Sequence, residues 1–319
     1  MMLRTIERIS PAVPLSNCFV VTNRNLAAMT EDALKGVIPA SNLIVEPERK
    51  NTAACIAYST FTLKSKGKDG VLCFFPADGY VKDQTAYRLA VKQACEAAEK
   101  TDGLVIIGIT PSYPATGYGY IHVDLGQENK IYPVIRFVEK PDRETAEQFL
   151  SSGNYLWNSG IVAGRLSAFV SHIQSFLPKH YDGFSAFKDN LDGQDILPFV
   201  KKAYAEIPGI SFDKGVLEKS NDIVAIKGDF DWNDIGSLES LAVSLPPDID
   251  GNKVKGDFFS VDTKDCIIYG DKALVTAIGM RNVVIAITDD AVLVCPRDRV
   301  QDVKILTERL KNSRYKSLT

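Results

Sequence analysis

The chain has 319 residues, of which 45% are hydrophobic and 24% charged, and 37 Lys and Arg against 40 Asp and Glu give a net charge of −3. That length suits one large domain with a smaller one attached, and the composition excludes disordered, collagenous and coiled-coil chains. No strongly basic face is available for a phosphate backbone, and no apolar run approaches the roughly 20 residues that cross a bilayer, so neither nucleic acid nor a membrane is an expected partner.

The chain opens on a helical pattern, LRTIERI, with no apolar signal core, and a cytoplasmic protein is expected. Short apolar runs follow at CFVVT (18–22), LIVE (43–46), VLCFFP (71–76) and LVIIGI (104–109), alternating with amphipathic stretches. This is the βαβ rhythm of a parallel sheet. The crossover helices fall at Thr52 to about Lys66, led by Asn51 as a cap, and at Asp83 to about Lys100. In the second of these Tyr87, Leu89, Ala90, Val91, Ala94 and Ala98 are expected near one face. From Tyr118 onward, YGYIHVD and PVIRFVEK read as a partly antiparallel layer, followed by helices near 142–151, 165–177 and 194–205. No glycine precedes Gly36, whereas doubly wound nucleotide-binding sheets usually carry a glycine-rich turn after their first strand.

After Leu245-Pro246-Pro247 the texture changes to short strand candidates (DFFSV, CIIYG, ALVTA, NVVIAIT, AVLVCP) separated by Gly, Asp and Asn turns. Two domains are expected, 1–245 and 246–319, the second a small β-roll or β-helix-like unit closed by a helix at 300–311. The six cysteines are widely spaced, without a CxxC pair, and read as reduced thiols; the three histidines, His122, His172 and His180, are too few for a zinc site of the usual kind.

Several polar residues sit where chemistry is possible. Asp78 ends the buried run VLCFFPAD, at the carboxyl end of a strand where open α/β sheets bind ligands, although a PAD turn also reads as an Asx-turn or cap. Asp234 lies in FDWNDIGSL and also reads as a helix cap; two carboxylates converging on one Mg2+ would suit a phosphate substrate. In TGYGYI, Gly117 permits close backbone approach and Tyr118 offers an aromatic face and a hydroxyl. Glu139 and Lys140 in FVEKP could hold sugar hydroxyls and a phosphate, and Asn158 in LWNSGI suits hydroxyl recognition; turns and solvated strand ends are the alternatives. In EPERKNTAA, Glu46 could accept two hydrogen bonds from a guanine edge, with Asn51 beside it as a further substrate-binding candidate.

Taken in order, EPERKNTAA, FFPAD, ATGYGYI, FVEKP, LWNSGI, SFDKGVLEKS and FDWNDIGSL resemble the mannose-1-phosphate guanylyltransferases of the sugar nucleotidyltransferase superfamily, from about Leu3 to the end of the chain. The resemblance implies a Rossmann-like α/β sheet and transfer of GMP from GTP to mannose 1-phosphate, with release of pyrophosphate. Asp78 and Asp234 would then bind Mg2+, Glu46 would read the base, Gly117, Glu139, Lys140 and Asn158 would hold the sugar 1-phosphate, and a homodimer is possible. The family's first strand and glycine-rich phosphate loop would precede Leu3 and are missing here, so this 319-residue form is expected to be inactive and an upstream-extended form active. Ala115 and Gly79-Tyr80 also depart from the family pattern. The alternatives are a non-catalytic, sugar-phosphate-binding regulatory paralogue and a sibling nucleotidyltransferase with another base or hexose.

Overall fold

The apolar runs become strands wherever alternate side chains find a layer on each side. The computed structural model describes residues 1–126, 131–185, 197–234, 242, 245–270 and 272–318. It divides into two units, 1–232 and 233–319, so the division falls ahead of the prolines at 246 and 247.

The first unit begins with α1 (Met2–Ile9), β1 (Val20–Asn23), α2 (Ala27–Leu34), β2 (Leu43–Glu46), α3 (Asn51–Ser65), β3 (Val71–Phe74), β4 (Tyr80–Val81), α4 (Gln84–Ala98) and β5 (Leu104–Ile109). It continues with β6 (Gly119–His122), β7 (Tyr132–Pro133), β8 (Arg136–Glu139), α5 (Arg143–Ser152), β9 (Tyr155–Arg165), α6 (Leu166–Phe176), α7 (Pro178–Ser185), α8 (Leu197–Glu206) and β10 (Ile223–Gly228). The order across the main sheet is β7-β10-β5-β9-β6-β8.

The α/β class holds, and the parallel rhythm of the first runs and the partly antiparallel layer after Tyr118 join in one mixed sheet. β5 runs parallel to β10, yet its other neighbour is the antiparallel β9. The far edge of β9 is shared, its N-terminal half pairing with β6 and its C-terminal half with β3, both antiparallel. β1 and β2 form a separate parallel pair. Only a long strand can serve three partners, and β9 is the longest of the described strands at 11 residues.

Along β5 the side chains alternate between two cores. Leu104 and Ile106 face one that holds α3, α6, α7 and α8, while Val105, Ile107 and Ile109 face one that holds α1, α4 and α5. All six residues of β5 are buried, and each large side chain stabilises the unit by roughly 1.5–3 kcal/mol on transfer grounds. β3 is also apolar throughout but, like β1, only half-buried.

Asp83 caps α4, its Oδ1 accepting from the amides of Thr85 and Ala86. Of the face assigned to α4, Leu89 is corrected: it is 56% exposed, because position 89 lies about 200° around a 3.6-residue helix from Tyr87, whereas 90, 91, 94 and 98 return to the same stripe. Asn51 is the first residue of α3, with Lys50 at the cap position. It adopts φ +67°, and its Oδ1 accepts from the adjacent Thr52 amide at 2.9 Å.

β11 (Trp232–Asn233) spans the division between units. The second unit then contains β12 (Lys253–Lys255), β13 (Phe258–Val261), β14 (Ile267–Tyr269), β15 (Val275–Ile278), β16 (Val283–Ile287), β17 (Val292–Pro296) and α9 (Val303–Lys311). β12, β14 and β16 stack in parallel, as do β13 and β15, and β17 closes antiparallel on β16. This is the winding of a short β-helix, with Cys266, Ile268 and Val275 inside. All six cysteines of the chain are free.

Candidate active site

β9 brings together motifs far apart in sequence. Asn158 pairs with Gly108 across the β5 ladder, where the register shifts, and two residues later Gly160 takes φ +76°. A Cβ at Gly160 would lie 2.8 Å from Pro76 Cγ, so the glycine lets the segment after β3 pack directly on the strand. That segment leads to Asp78, an exposed residue whose carboxylate makes no hydrogen bond or ion pair among the described residues.

The other edge of the site is the β6–β8 pair, in which Gly119 stands opposite Glu139. A Cβ at Gly119 would come within 2.8 Å of both Glu139 Oε2 and Phe137 Cζ, so glycine is what lets the carboxylate lie over the strand. The Glu139 side chain is 8% exposed and pairs with Lys140 Nζ at 3.0 Å. Lys140 turns out of β8 with φ +50°, its amide bonded to Tyr118 O at 3.2 Å and its ammonium mostly in solvent. The ring of Tyr118 lies 5.1 Å from Trp157 and 5.1 Å from Trp232. A Cβ at Gly79 would meet Trp232 Nε1 at 3.3 Å. An aromatic chain therefore links the Gly117–Tyr118 turn to the Asp78 turn.

Asn158 is 8% exposed and uses both ends of its amide within the protein. Its Oδ1 accepts from Gly160 N at 3.1 Å and its Nδ2 donates to Asp213 Oδ1 at 2.9 Å. Asp213 begins a π-helical turn, Asp213–Leu217, within SFDKGVLEKS. Its carboxyl is pushed up to about 6 by burial and then by the negative charge of Glu139, against the opposing pull of its own backbone amide, Lys140 and Asn158. Glu218, from the same segment, accepts from Glu139 N at 2.8 Å. Asp213 and Glu218 were not singled out from the sequence, although their motif was.

Glu46 stands at the end of β2, its Oε1 accepting from Tyr204 Oη at 2.8 Å. Burial raises its carboxyl above the usual range, with the Tyr204 bond working in the opposite sense. The EPERKNT segment is tied to the Asp213 turn, since Phe212 N donates to Thr52 Oγ1 at 2.8 Å and Ala53 N to Ile210 O at 3.2 Å. Gly117, Tyr118, Glu139, Lys140 and Asn158 thus gather around β6, β8 and β9, with Asp78 across Trp232 and Asn51 reached through the Phe212–Asp213 segment. Asp234 falls in the second unit, two residues beyond Trp232.

The match to a family model decides the class: the nucleotidyl transferase model covers residues 1–245. The chain belongs to the nucleotidyl transferase family. Residues 256–310 match the mannose-phosphate isomerase/GMP-like β-helix domain. Among curated relatives, the xanthan biosynthesis protein XanB of Xanthomonas campestris is 38% identical over 92% of this chain and 62% of its own length. A mannose-1-phosphate guanylyltransferase from Klebsiella pneumoniae is 36% identical over 98% of this chain and 67% of its own. The chain thus spans about two thirds of the length of these relatives. A crystal structure from Thermus thermophilus, described as mannose-1-phosphate geranyltransferase, superposes with a TM-score of 0.84 at 30% identity, covering 97% of this chain and 88% of its own.

Within this family fold the geometry offers an exposed carboxylate at one turn and an ammonium beside a buried carboxylate at the other. Among the described residues no group of three or more His, Cys, Asp or Glu side chains could hold a metal ion. Mg2+ needs fewer, being commonly held by one or two carboxylates with water and phosphate oxygens, and the unengaged carboxylate of Asp78 fits that chemistry.

Proposed function

We propose that the site in this chain serves the transfer of GMP from GTP to mannose 1-phosphate, forming GDP-mannose and pyrophosphate. The observation that carries this reading is the gathering of Gly117, Glu139, Lys140 and Asn158 around one long strand, in a chain whose relatives include a mannose-1-phosphate guanylyltransferase. In the reaction a phosphate oxygen of the sugar attacks the α-phosphorus of GTP and pyrophosphate leaves. The chemistry calls for positioning and charge neutralisation more than for an acid–base pair.

Lys140 supplies the positive charge for the sugar phosphate, and Glu139 orients it while accepting from sugar hydroxyls. Asn158, with one N–H of Nδ2 already given to Asp213, keeps a second for the ligand. Glu46 accepts from the base, its position set by Tyr204. Asp78 would help to hold Mg2+, which when bound neutralises charge on the phosphate oxygens.

Calorimetry with mannose 1-phosphate isolates the sugar pocket in the chain as it stands. Lys140→Ala should weaken binding by about ten- to a hundredfold, because a charge-assisted contact is worth roughly 1.5–3 kcal/mol. Pyrophosphate release from GTP, Mg2+ and mannose 1-phosphate is the direct assay of the reaction. Binding unaffected by Lys140→Ala would refute the assignment of the sugar site.

A further inference from the structure

α1 reaches the turn that carries Asp78 through two of its side chains. Thr5 Oγ1 donates to Ala77 O at 3.4 Å, and Nη1 and Nη2 of Arg8 both donate to Gly79 O at 3.3 Å. The two acceptors are the carbonyls of the residues immediately before and after Asp78. Arg8 is 6% exposed, its guanidinium lies 5.1 Å from the centroid of the Tyr87 ring, and its Nε has no partner. Downstream, Lys82 N donates to Asp231 O at 3.3 Å, so the segment is held beyond the turn as well.

Burying a guanidinium on backbone carbonyls and an aromatic face is a costly way to pack a helix on a loop; an apolar side chain would fill the same space without the desolvation penalty. What a guanidinium adds is a fork that fixes one carbonyl in direction as well as distance. Here it fixes the carbonyl next to the exposed, unengaged carboxylate. A Cβ at Gly79 would sit tightly against Trp232, 3.3 Å from its Nε1.

The geometry points to Arg8 and Thr5 as positioning residues: α1 clamps the carbonyls on both sides of Asp78 so that its carboxylate is presented in one orientation to a divalent cation. This rests on the reading of Asp78 as a cation ligand and adds the device that aims it. Neither residue touches the cation; each acts through the backbone, as outer partners of metal ligands do.

The chain contains two tryptophans, Trp157 and Trp232, so its NMR spectrum has two indole N–H peaks, which Trp157→Phe assigns. Trp232 adjoins Gly79, and Mn2+ bound at Asp78 should broaden its peak, giving an affinity for that site with the metal alone. Broadening should disappear in Asp78→Asn. Arg8→Met and Thr5→Val should shift the Trp232 peak while leaving Trp157 in place, and should weaken Mn2+ binding by roughly tenfold or more, the scale on which such outer partners act. Thr5→Ser keeps the hydroxyl and should behave as the unmodified chain. If Arg8→Met does not fold, Thr5→Val, which removes only the hydroxyl, decides. Unaltered Mn2+ affinity in folded Arg8→Met or Thr5→Val would overturn the clamp and leave the role of Asp78 standing. Absence of broadening in the unmodified chain, or its persistence in Asp78→Asn, would overturn the cation reading and the clamp with it.

Discussion

Replacing Asp213 by asparagine should stabilise the first unit at neutral pH and leave it nearly unchanged in mild acid. The carboxyl is raised from 3.8 to about 6 in the folded chain, chiefly by burial and then by Glu139. A group whose folded pKa lies above its unfolded value keeps its proton longer when folded. Its contribution is therefore fully present below about pH 4 and is lost as pH rises through about 6. At about 1.4 kcal/mol per unit, the loss by pH 8 amounts to about 3 kcal/mol. Asparagine mimics the protonated acid, and its Oδ1 can still accept from Asn158 Nδ2. Both tryptophans, Trp157 and Trp232, belong to the first unit, so urea unfolding followed by their fluorescence reads that unit alone. Asp213→Asn should match the unmodified chain near pH 4 and raise the urea midpoint by about 1 M at pH 8. A difference independent of pH between 4 and 8, or a destabilised variant at pH 8, would show that Asp213 is not held protonated by its surroundings.

Three further outcomes follow from the same geometry. Gly119→Ala forces a Cβ to within 2.8 Å of Glu139 Oε2 and Phe137 Cζ, and should cost about 1–3 kcal/mol of stability in urea while weakening mannose 1-phosphate binding. Tyr204→Phe removes the hydroxyl that donates to Glu46, and should cost roughly 1.5–3 kcal/mol if Glu46 is ionised; unchanged stability at pH 8 would argue that the bond contributes nothing. Ile106→Ala, at a fully buried position of β5, should cost about 2–5 kcal/mol by urea titration, and a loss below 1 kcal/mol would contradict the packing described for that strand.

The one-dimensional pattern carried much of the architecture. The runs at 43–46 and 104–109 are strands at those bounds, LRTIERI is within a helix, and the short Gly- and Asn-punctuated runs after 250 wind into a β-helix. Burial repeats along the chain with the period of its secondary structure, so the order of apolar and polar residues reveals it. The motif residues too were legible, because glycines, carboxylates and aromatic side chains clustered at strand ends.

Which strands lie side by side was not legible, since apolar side chains pack equally well on either neighbour and the ladder is made of backbone. β9 runs antiparallel beside β5, and its position sets Asn158 beside Asp213, 55 residues away. Asp213 reads in sequence as an ordinary acid in a polar stretch; its raised carboxyl exists only because folding buries it beside Glu139. Arg8 likewise reads as the basic end of an amphipathic helix, and becomes a clamp only where the tertiary fold lays that helix against two carbonyls about 70 residues downstream. Local propensity follows from residue type, whereas long-range hydrogen bonds and desolvation depend on which distant groups the packing brings within reach.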